Sequence, residues 1–572
     1  MLDHIWVLIS FIFFTGLVAL ATWLFTRKED TGSRTGFFLA GRGLTFPFIA
    51  GSLLLTNLST EQMVGLNGQA YSFGLTVMVW EVIAVVALVA MALFFLPRYL
   101  KSGITTLPEL MEIRYNSTAR MICNLAFLII YATVLLPVIL YSGALGLKGI
   151  LDMKSLTGIK NDTTLLWLMI WLVGLIGAAY ALFGGLRTVV VSDTFNGIGL
   201  LIGGFMITIF GISFIGKSKG IGWIDGCAEL YREIPERFNS IGGPSDPTPF
   251  WSIFTGVLVI HLFYWCTNQQ IIQRTLAAKS LKEGQRGVLL CGALKLLGPL
   301  YLVLPGIMAY YLATKLKVEG FETLMEKPDN AYGMLVHSVL PKPLVGFFAA
   351  VMTGAILSSF NSALNSTCTL FTLDIYKKHL RKNASDLEVV RVGKIFGWTV
   401  ALIAMLVAPL LAGQESIFGF LKLMDGLYAI PIFSVILMGF LNKKVPAAAA
   451  NFAMLSGLAI IALAYFVLPL FGITTKIICG NDFYFLGVVF LILVIVMQIW
   501  SMVAPRREGA WVQKDVGAVD LKPWSLAIPV GIALLILVVI NYALFADFSV
   551  VTNPLPGVWR RIIYLLRFFR VQ

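Results

Sequence analysis

The stretch LLLTNLSTEQMVGL (residues 53–66) begins like the middle of a membrane helix and then places six polar side chains almost in succession. In a bilayer, such a polar run is stable only where protein covers it or where it lines a watery cavity. The stretch therefore predicts an interrupted membrane helix whose break faces the protein interior.

The composition of the whole chain agrees with a membrane location. Its 572 residues are 58% hydrophobic and 13% charged, and the mean hydropathy of +0.86 is too high for a water-soluble domain. A formal charge of +13 would suggest nucleic acid in a soluble protein, but here Lys and Arg lie in short loops, where they set topology. We expect a lipid bilayer as partner, no nucleic acid and no obligate protein partner.

Apolar runs long enough to cross a bilayer number about fourteen. The excess of basic residues in alternate loops favours an outward N-terminus, and the first run is expected to be a retained helix rather than a signal peptide. The basic tail 558–572 suits an amphipathic helix on the membrane surface. The predicted spans lie near 4–26, 45–71, 75–98, 118–147, 163–182, 189–215, 248–269, 285–315, 342–376, 390–412, 416–442, 446–471, 481–503 and 524–546.

A second interruption, HLFYWCTNQQ (261–270), lies in the seventh span. Transporters with inverted repeats carry one broken helix at the same position of each half and bind solute and ion there. Spans two to six and seven to eleven form two groups of five, each beginning with the interrupted member. The predicted units are 1–44 (an extra helix), 45–215 (first repeat), 216–247 (linker), 248–442 (second repeat) and 443–572 (extra helices and tail).

Ionisable residues also lie inside apolar runs. Each costs about 2.5–3.5 kcal/mol on insertion scales, which indicates either structural ion pairs or a functional site. Lys422 and Asp425 are three residues apart and can simply pair with each other. The other three ionisable residues inside apolar runs are Glu81, Asp193 and Lys295.

Hydroxyl and amide side chains are concentrated in SSFNSALNST (358–367) of the ninth span. Such residues serve either as small packing groups between helices or as oxygen ligands for a hard cation. The sequence contains no metal-ligating His and Cys cluster, no phosphate-binding loop and no nucleophile motif. We therefore expect ion and solute movement rather than enzymatic catalysis. The two loop cysteines, Cys227 and Cys479, can form a disulfide only if both loops face an oxidising side.

Several blocks together resemble the sodium/solute symporter family, in particular its sodium/galactose and sodium/glucose transporters. The likeness runs from about residue 36 to 445. The resemblance implies an all-α, polytopic membrane protein with a leucine-transporter-type core of five plus five helices, and sodium as the coupling ion. The blocks that carry it are FLAGRGL (38–44), LTNLSTEQMVG (55–65), TTLPELMEIRYN (105–116), YALFGGLRTVVVSDTFN (180–196), YWCTNQQIIQRTLAAKS (264–280), LVLPGIMAYY (302–311) and SSFNSALNSTCTLFTLDIYKK (358–378).

The family's functional residues carry over to matching positions of this chain. The sodium ligands are implied to be the carbonyls of Leu55, Leu58 and Ala355 with the hydroxyls of Ser358 and Ser359, and Asp193 is implied to lie on the ion's inward route. The implied sugar contacts are Asn57, Ser59, Gln62, Glu81 and Lys295, with Tyr264 stacking on the sugar, and the implied outer gate is Leu66, Trp80 and Phe418.

Two positions depart from the sugar-transporter pattern, because His261 and Lys422 stand where the galactose transporter has neutral amides. Either the solute is anionic, such as a uronate or sulfonated sugar paired with Lys422, or Asp425 neutralises Lys422 and the solute is a neutral hexose. We favour a sodium symporter for a neutral hexose in a cell membrane, with the anionic solute as the alternative. The number of sodium ions stays open, because Asn361 replaces a hydroxyl that some relatives use for a second ion.

Overall fold

A computed structural model describes residues 2–27, 33–151, 153–412 and 417–551. Within these ranges the protein is helical, and its extended pairing is limited to two isolated bridges. The predicted amphipathic helix at 558–572 lies outside the described residues. The all-α class predicted from the apolar runs is confirmed.

The helices up to the linker contain the first predicted repeat. A short π-helical turn, Met91–Phe95, connects α5 to α6, and another, Tyr131–Leu135, connects α8 to α9. Each of the two helix pairs is therefore one continuous helix. The helices are α1 (Leu2–Thr26), α2 (Arg34–Leu39), α3 (Phe46–Asn57), α4 (Thr60–Phe73), α5 (Val79–Ala90), α6 (Leu96–Ser102), α7 (Leu107–Arg114), α8 (Ser117–Ile130), α9 (Leu136–Ile150), α10 (Met153–Thr157), α11 (Asp162–Lys219) and α12 (Trp223–Glu233). α11 consists of two helical segments, Asp162–Leu182 and Gly185–Lys219, that meet at a kink where Gly185 is not helical (φ 65°, ψ −176°).

The second predicted repeat and the C-terminal helices follow. A π-helical stretch, Leu370–Leu380, extends α18 toward the inner side. The helices are α13 (Gly256–Cys266), α14 (Gln269–Leu276), α15 (Leu281–Lys295), α16 (Leu304–Thr314), α17 (Ala331–Val339), α18 (Lys342–Thr369), α19 (Asp386–Val407), α20 (Ile417–Leu441), α21 (Ala447–Ala462), α22 (Thr475–Cys479), α23 (Asp482–Val503) and α24 (Ala527–Ala543).

The number of helices that can cross a membrane differs from the expected count. By length and composition, ten helices of the described chain qualify, or eleven when the pair bent by 47° between Leu281–Lys295 and Pro299–Thr314 is one span. Shorter apolar helices account for the rest, because α3 and α13 end at breaks and α24 has 17 residues. The predicted fourteen spans are therefore not confirmed, although every predicted span contains an apolar helix.

The two helix breaks lie at matching places in the two halves. Between α3 and α4, Leu58 (φ −78°, ψ 64°) and Ser59 (φ −91°, ψ −178°) leave the helical region. Between α13 and α14, Thr267 (φ −137°) and Asn268 (ψ 123°) do the same. The predicted broken helix at the start of each repeat is thus present in both.

With the N-terminus outside, as the basic loops predict, loops on the same side of the membrane contact one another. On the inner side, Leu44 pairs with Ala278, and Gln513 donates to the carbonyl of Arg98. On the outer side, Asn481 donates to the carbonyl of Pro247 at 3.2 Å. Cys227 is exposed and Cys479 is buried, and both are free thiols, so the disulfide considered from the sequence does not form here.

Candidate functional site

A buried ion pair lies beside the first helix break. The Lys295 ammonium is 2.8 and 2.7 Å from the two carboxylate oxygens of Glu81, and it also contacts the side-chain oxygen of Asn57. Both charged side chains are fully buried. The side chain of Tyr264 lies close to that of Asn57 in turn. Four predicted solute contacts, one from each of the helices α3, α5, α13 and α15, therefore form one connected cluster.

Aromatic rings separate this cluster from the outer side. The ring of Trp80 lies 5.5 Å from each of the rings of Phe418, His261 and Phe483, measured between centroids. Beyond them lies a cavity of about 430 Å³ that is lined by Trp80, Phe418 and Phe483 and by outer loops. Leu66, the third predicted gate residue, is fully buried. The cavity therefore ends where the outer gate was predicted.

Lys422 stands at the floor of the outer cavity. Its ammonium lies 5.1 to 5.6 Å from the ring centroids of Trp80, Tyr264 and Phe418, where the negative ring faces attract a cation. It also lies 3.5 Å from a carboxylate oxygen of Asp425. The residue thus links the gate to the deeper cluster, and its charge already has a partner.

The first break leaves side-chain atoms without well-formed hydrogen bonds. These atoms are Ser59 Oγ, Gln62 Oε1 and one carboxylate oxygen of Glu61, all of them buried. Buried polar atoms are normally satisfied, so a group of unsatisfied ones indicates a place where a ligand or water belongs. The solute role predicted for Ser59 and Gln62 stays a prediction.

The first break also frees two backbone carbonyls. The amide of Ser59, which would bond the carbonyl of Leu55 in a continuous helix, donates to Asn57 O at 2.9 Å. The amide of Gln62, which would bond Leu58 O, donates to Ser59 O at 3.1 Å. The carbonyls of Leu55 and Leu58 therefore lose their helical partners, which makes them available as cation ligands.

The facing helix α18 supplies the other predicted sodium ligands. Ser359 Oγ donates to Thr56 O at 3.2 Å, which draws α18 against the break. Ser358 Oγ is buried without a well-formed hydrogen bond. Ala355 is fully buried and precedes Ser358 and Ser359 by about one helical turn. These neutral oxygens fit a hard monovalent cation that would be carried as a transported ion.

Asp193 lies next to this region on α11. Its carboxylate accepts a hydrogen bond from Ser52 Oγ at 2.6 Å and lies 3.8 Å from a guanidinium nitrogen of Arg274. Both charged side chains are buried. Asp193, which was predicted for the sodium route, is thus already paired with a cation, and its role on that route stays a prediction.

Several residues of the site were not singled out from the sequence. Asn268 and Arg274 lie in the polar run of the second break, whose residue types signalled the break but not the role of each side chain. Tyr131 and Phe483 are ordinary aromatics in apolar runs, and Tyr131 contacts Asn268 across 137 residues of chain. A contact over that separation has no local sequence signal.

The fold and the site define an inverted-repeat membrane transporter with broken helices at its binding region. The model of the sodium:solute symporter family matches residues 37–457. The chain belongs to that family, whose members are transporters, and it is a multi-pass protein of the cell membrane.

Individual relatives share most of the chain. The uncharacterized symporter YidK of Escherichia coli is 45% identical over 95% of this chain and 91% of its own length. The sodium/glucose cotransporter of Vibrio parahaemolyticus is 34% identical over 77% of this chain and 82% of its own. The solved structure of a Na⁺-coupled sialic acid symporter superposes with a TM-score of 0.69 over 87% of this chain and 98% of its own, at 20% identity. That likeness shows the shared fold.

Proposed function

We propose that this protein is a sodium-coupled symporter that imports a neutral hexose by alternating access. The observation that carries the proposal is the buried cluster of Glu81, Lys295, Asn57 and Tyr264 beneath an aromatic gate. Sugar hydroxyls need both donors and acceptors, and the C–H face of a pyranose packs on an aromatic ring. The cluster offers all three kinds of contact.

The charge balance of the pocket supports a neutral solute. Lys422 interacts with the carboxyl groups of Glu61, Glu81 and Asp425. Together with Lys295, the pocket holds three carboxyl groups and two ammonium groups, so it offers no excess of positive charge. An anionic solute would have to displace Asp425 from Lys422. The anionic alternative therefore lacks the free cation that it requires.

The first helix break would couple sodium to the solute, because it carries residues proposed for both ligands. The freed carbonyls of Leu55 and Leu58 would bind the ion, while Asn57, Ser59 and Gln62 would bind the solute. An ion held between α3 and α18 would order the same residues that the solute needs. Such coupling is a population shift, and it requires the ion to bind the outward-open state more tightly than the inward-open one.

The test is uptake of radiolabelled glucose and galactose into proteoliposomes with an inward sodium gradient. We expect saturable accumulation that disappears when potassium replaces sodium. One ion driven by about 100 mV and a tenfold gradient supports about 500-fold accumulation. Hexose uptake that is unchanged in potassium would refute the sodium coupling.

The substrate class is tested by competition with a uronate and its parent hexose. We expect the parent hexose to compete at least tenfold better, both in the wild-type protein and in Lys422→Gln. The matched control is Lys476→Gln, since Lys476 is exposed on the wall of the same cavity. A preference for the uronate that Lys422→Gln abolishes and Lys476→Gln preserves would establish the anionic alternative instead.

A further inference from the structure

The connection between α23 and α24, residues 504–526, lies on the inner side in the predicted orientation and contains turns but no helix. We call this connection the inner strap. Loops of this length without secondary structure are uncommon in compact proteins and are usually either functional or disordered. Hydrogen bonds to three other elements order the inner strap, which indicates a function.

The first half of the inner strap is bonded to the loop between α20 and α21. The amide of Arg506 donates to Lys444 O at 2.9 Å, and the amide of Trp511 donates to Lys443 O at 3.0 Å. These two bonds fix the path of the inner strap along the inner end of α20.

The Trp511 ring is the buried anchor of this half. Its centroid lies 6.3 Å from that of Phe440, near the inner end of α20 in the second predicted repeat. It also lies 5.3 Å from the guanidinium of Arg114 on α7, in the first predicted repeat, and that guanidinium donates to Gly439 O at 2.8 Å. One side chain of the inner strap therefore contacts both repeats.

The second half of the inner strap is bonded to α6 and α15. The Gln513 side chain donates to Arg98 O at 2.5 Å and to Ser102 Oγ at 2.6 Å. At the start of α15, the amide of Leu281 donates to Asp520 O at 2.9 Å. This half is thus held by different helices from the first.

The two halves of the inner strap hold two different groups of helices. In one group α15 contacts α5, α6 and α24, and in the other α20, α21 and α23 contact one another. On the inner side the groups meet through aromatic rings, since the Phe440 ring lies 6.2 Å from those of Phe94 and Phe95 and 6.1 Å from that of Tyr99. The inner strap is bonded to both groups, and Trp511 packs on the same Phe440 ring.

We propose that the inner strap is a clamp that holds the inner side of the transporter closed, and that Trp511 must leave Phe440 when this side opens. Transporters of this architecture work largely by moving one bundle of helices against another. Inward opening has to separate the rings between the two groups, and the inner strap is bonded to both groups. The clamp goes beyond the proposed function, because it acts whatever solute or ion is carried.

A clamp of this kind also sets the balance between the two states. Bonds that exist only in the inner-closed state favour that state over the inward-open one. Weakening them reduces the outward-facing fraction, and a ligand that binds this fraction then shows a lower apparent affinity. The inner strap therefore adjusts transport from outside both repeats.

The experiment measures the distance between the two groups with spin labels. The labels are placed at the exposed positions Lys282 on α15 and Lys443 beside α20, in a Cys227→Ser background, since the other five cysteines are buried. By pulsed electron double resonance without sodium or hexose, we expect one principal distance in this parent protein and a second, longer population in Trp511→Leu. Val512→Ala, at an exposed position of the inner strap, is the matched control and should keep the parent distribution.

A second variant tests the other half of the inner strap. Gln513→Ala removes both side-chain bonds to α6 and leaves the buried ring in place, so we expect the same longer population in a smaller fraction. Its control is Lys514→Ala, at an exposed position. Unchanged distributions in Gln513→Ala and in monodisperse Trp511→Leu would overturn the clamp, and if Trp511→Leu does not fold, Gln513→Ala decides alone. Because no ligand is added, this outcome leaves the proposed symport intact, and a failure of hexose uptake leaves the clamp intact.

Discussion

The two broken helices have the same position in their repeats but differ in how their polar groups are satisfied. At the second break, Asn268 Oδ1 accepts from Tyr131 Oη at 2.6 Å and from the amide of Gln270 at 3.0 Å, and Gln269 accepts from the amide of Leu107 at 2.8 Å. At the first break, by contrast, Gln62 Oε1 has no hydrogen-bond partner, and the Ser59 hydroxyl has no well-formed hydrogen bond beyond its contact with the Glu61 carboxyl group.

This difference indicates that the first break serves ligand binding and the second break serves stability. The second break holds a fixed backbone shape, because the buried side chains of Asn268 and Gln269 already have their partners. An unsatisfied break has groups left for ligands. Changes near the first break should therefore alter ligand dependence, while changes at the second should alter stability.

The largest effect is expected from Lys295→Ala. The change leaves the buried Glu81 carboxylate without its cation, which costs about 3–5 kcal/mol, and it removes a donor from the proposed solute cluster. We expect hexose uptake into proteoliposomes to fall at least 100-fold, together with a lower denaturation temperature in detergent. The control is Lys282→Ala, an exposed position on the same helix. Uptake within twofold of the wild-type value would remove Lys295 from the site.

The next effect is expected from Ser359→Ala. The substitution removes a proposed sodium ligand and the hydrogen bond to Thr56 O, and we expect the sodium concentration for half-maximal uptake to rise about tenfold or more, equivalent to about 1.4 kcal/mol. Thr367→Ala is the matched control, because the Thr367 hydroxyl bonds only the preceding turn of the same helix at Ala363 O. Equal sodium dependence in the two variants would contradict the ion role assigned to the first break.

The smallest effect is expected at the second break, from Tyr131→Phe. The change deletes the donor to Asn268, but Gln270 still bonds Asn268, so the free energy of unfolding should fall by only about 1 kcal/mol. The sodium concentration for half-maximal uptake should not move. Tyr301→Phe provides the control, because the buried Tyr301 hydroxyl has no well-formed hydrogen bond to lose. A tenfold change in sodium dependence with Tyr131→Phe would show that the second break also serves the ion.

The sequence by itself determined the membrane class, the two interruptions and the family. These features are local, because a polar run inside an apolar segment has few stable solutions in a bilayer. The resemblance also predicted Glu81, Lys295 and Asn57 as contacts of one solute, although they are separated by up to 238 residues. Their roles as solute contacts stay predictions.

Only the tertiary structure decided which charges pair and which polar atoms stay open. Arg274 in QQIIQRTL is an ordinary basic residue at a helix end until α3, α11 and α18 surround it. Lys295 likewise meets Glu81 at 2.7 Å only because α5 packs against α15. The freed carbonyls of Leu55 and Leu58 depend likewise on the backbone path at the break. Pairing and desolvation are set by three-dimensional neighbours, and residue types along the chain do not specify these neighbours.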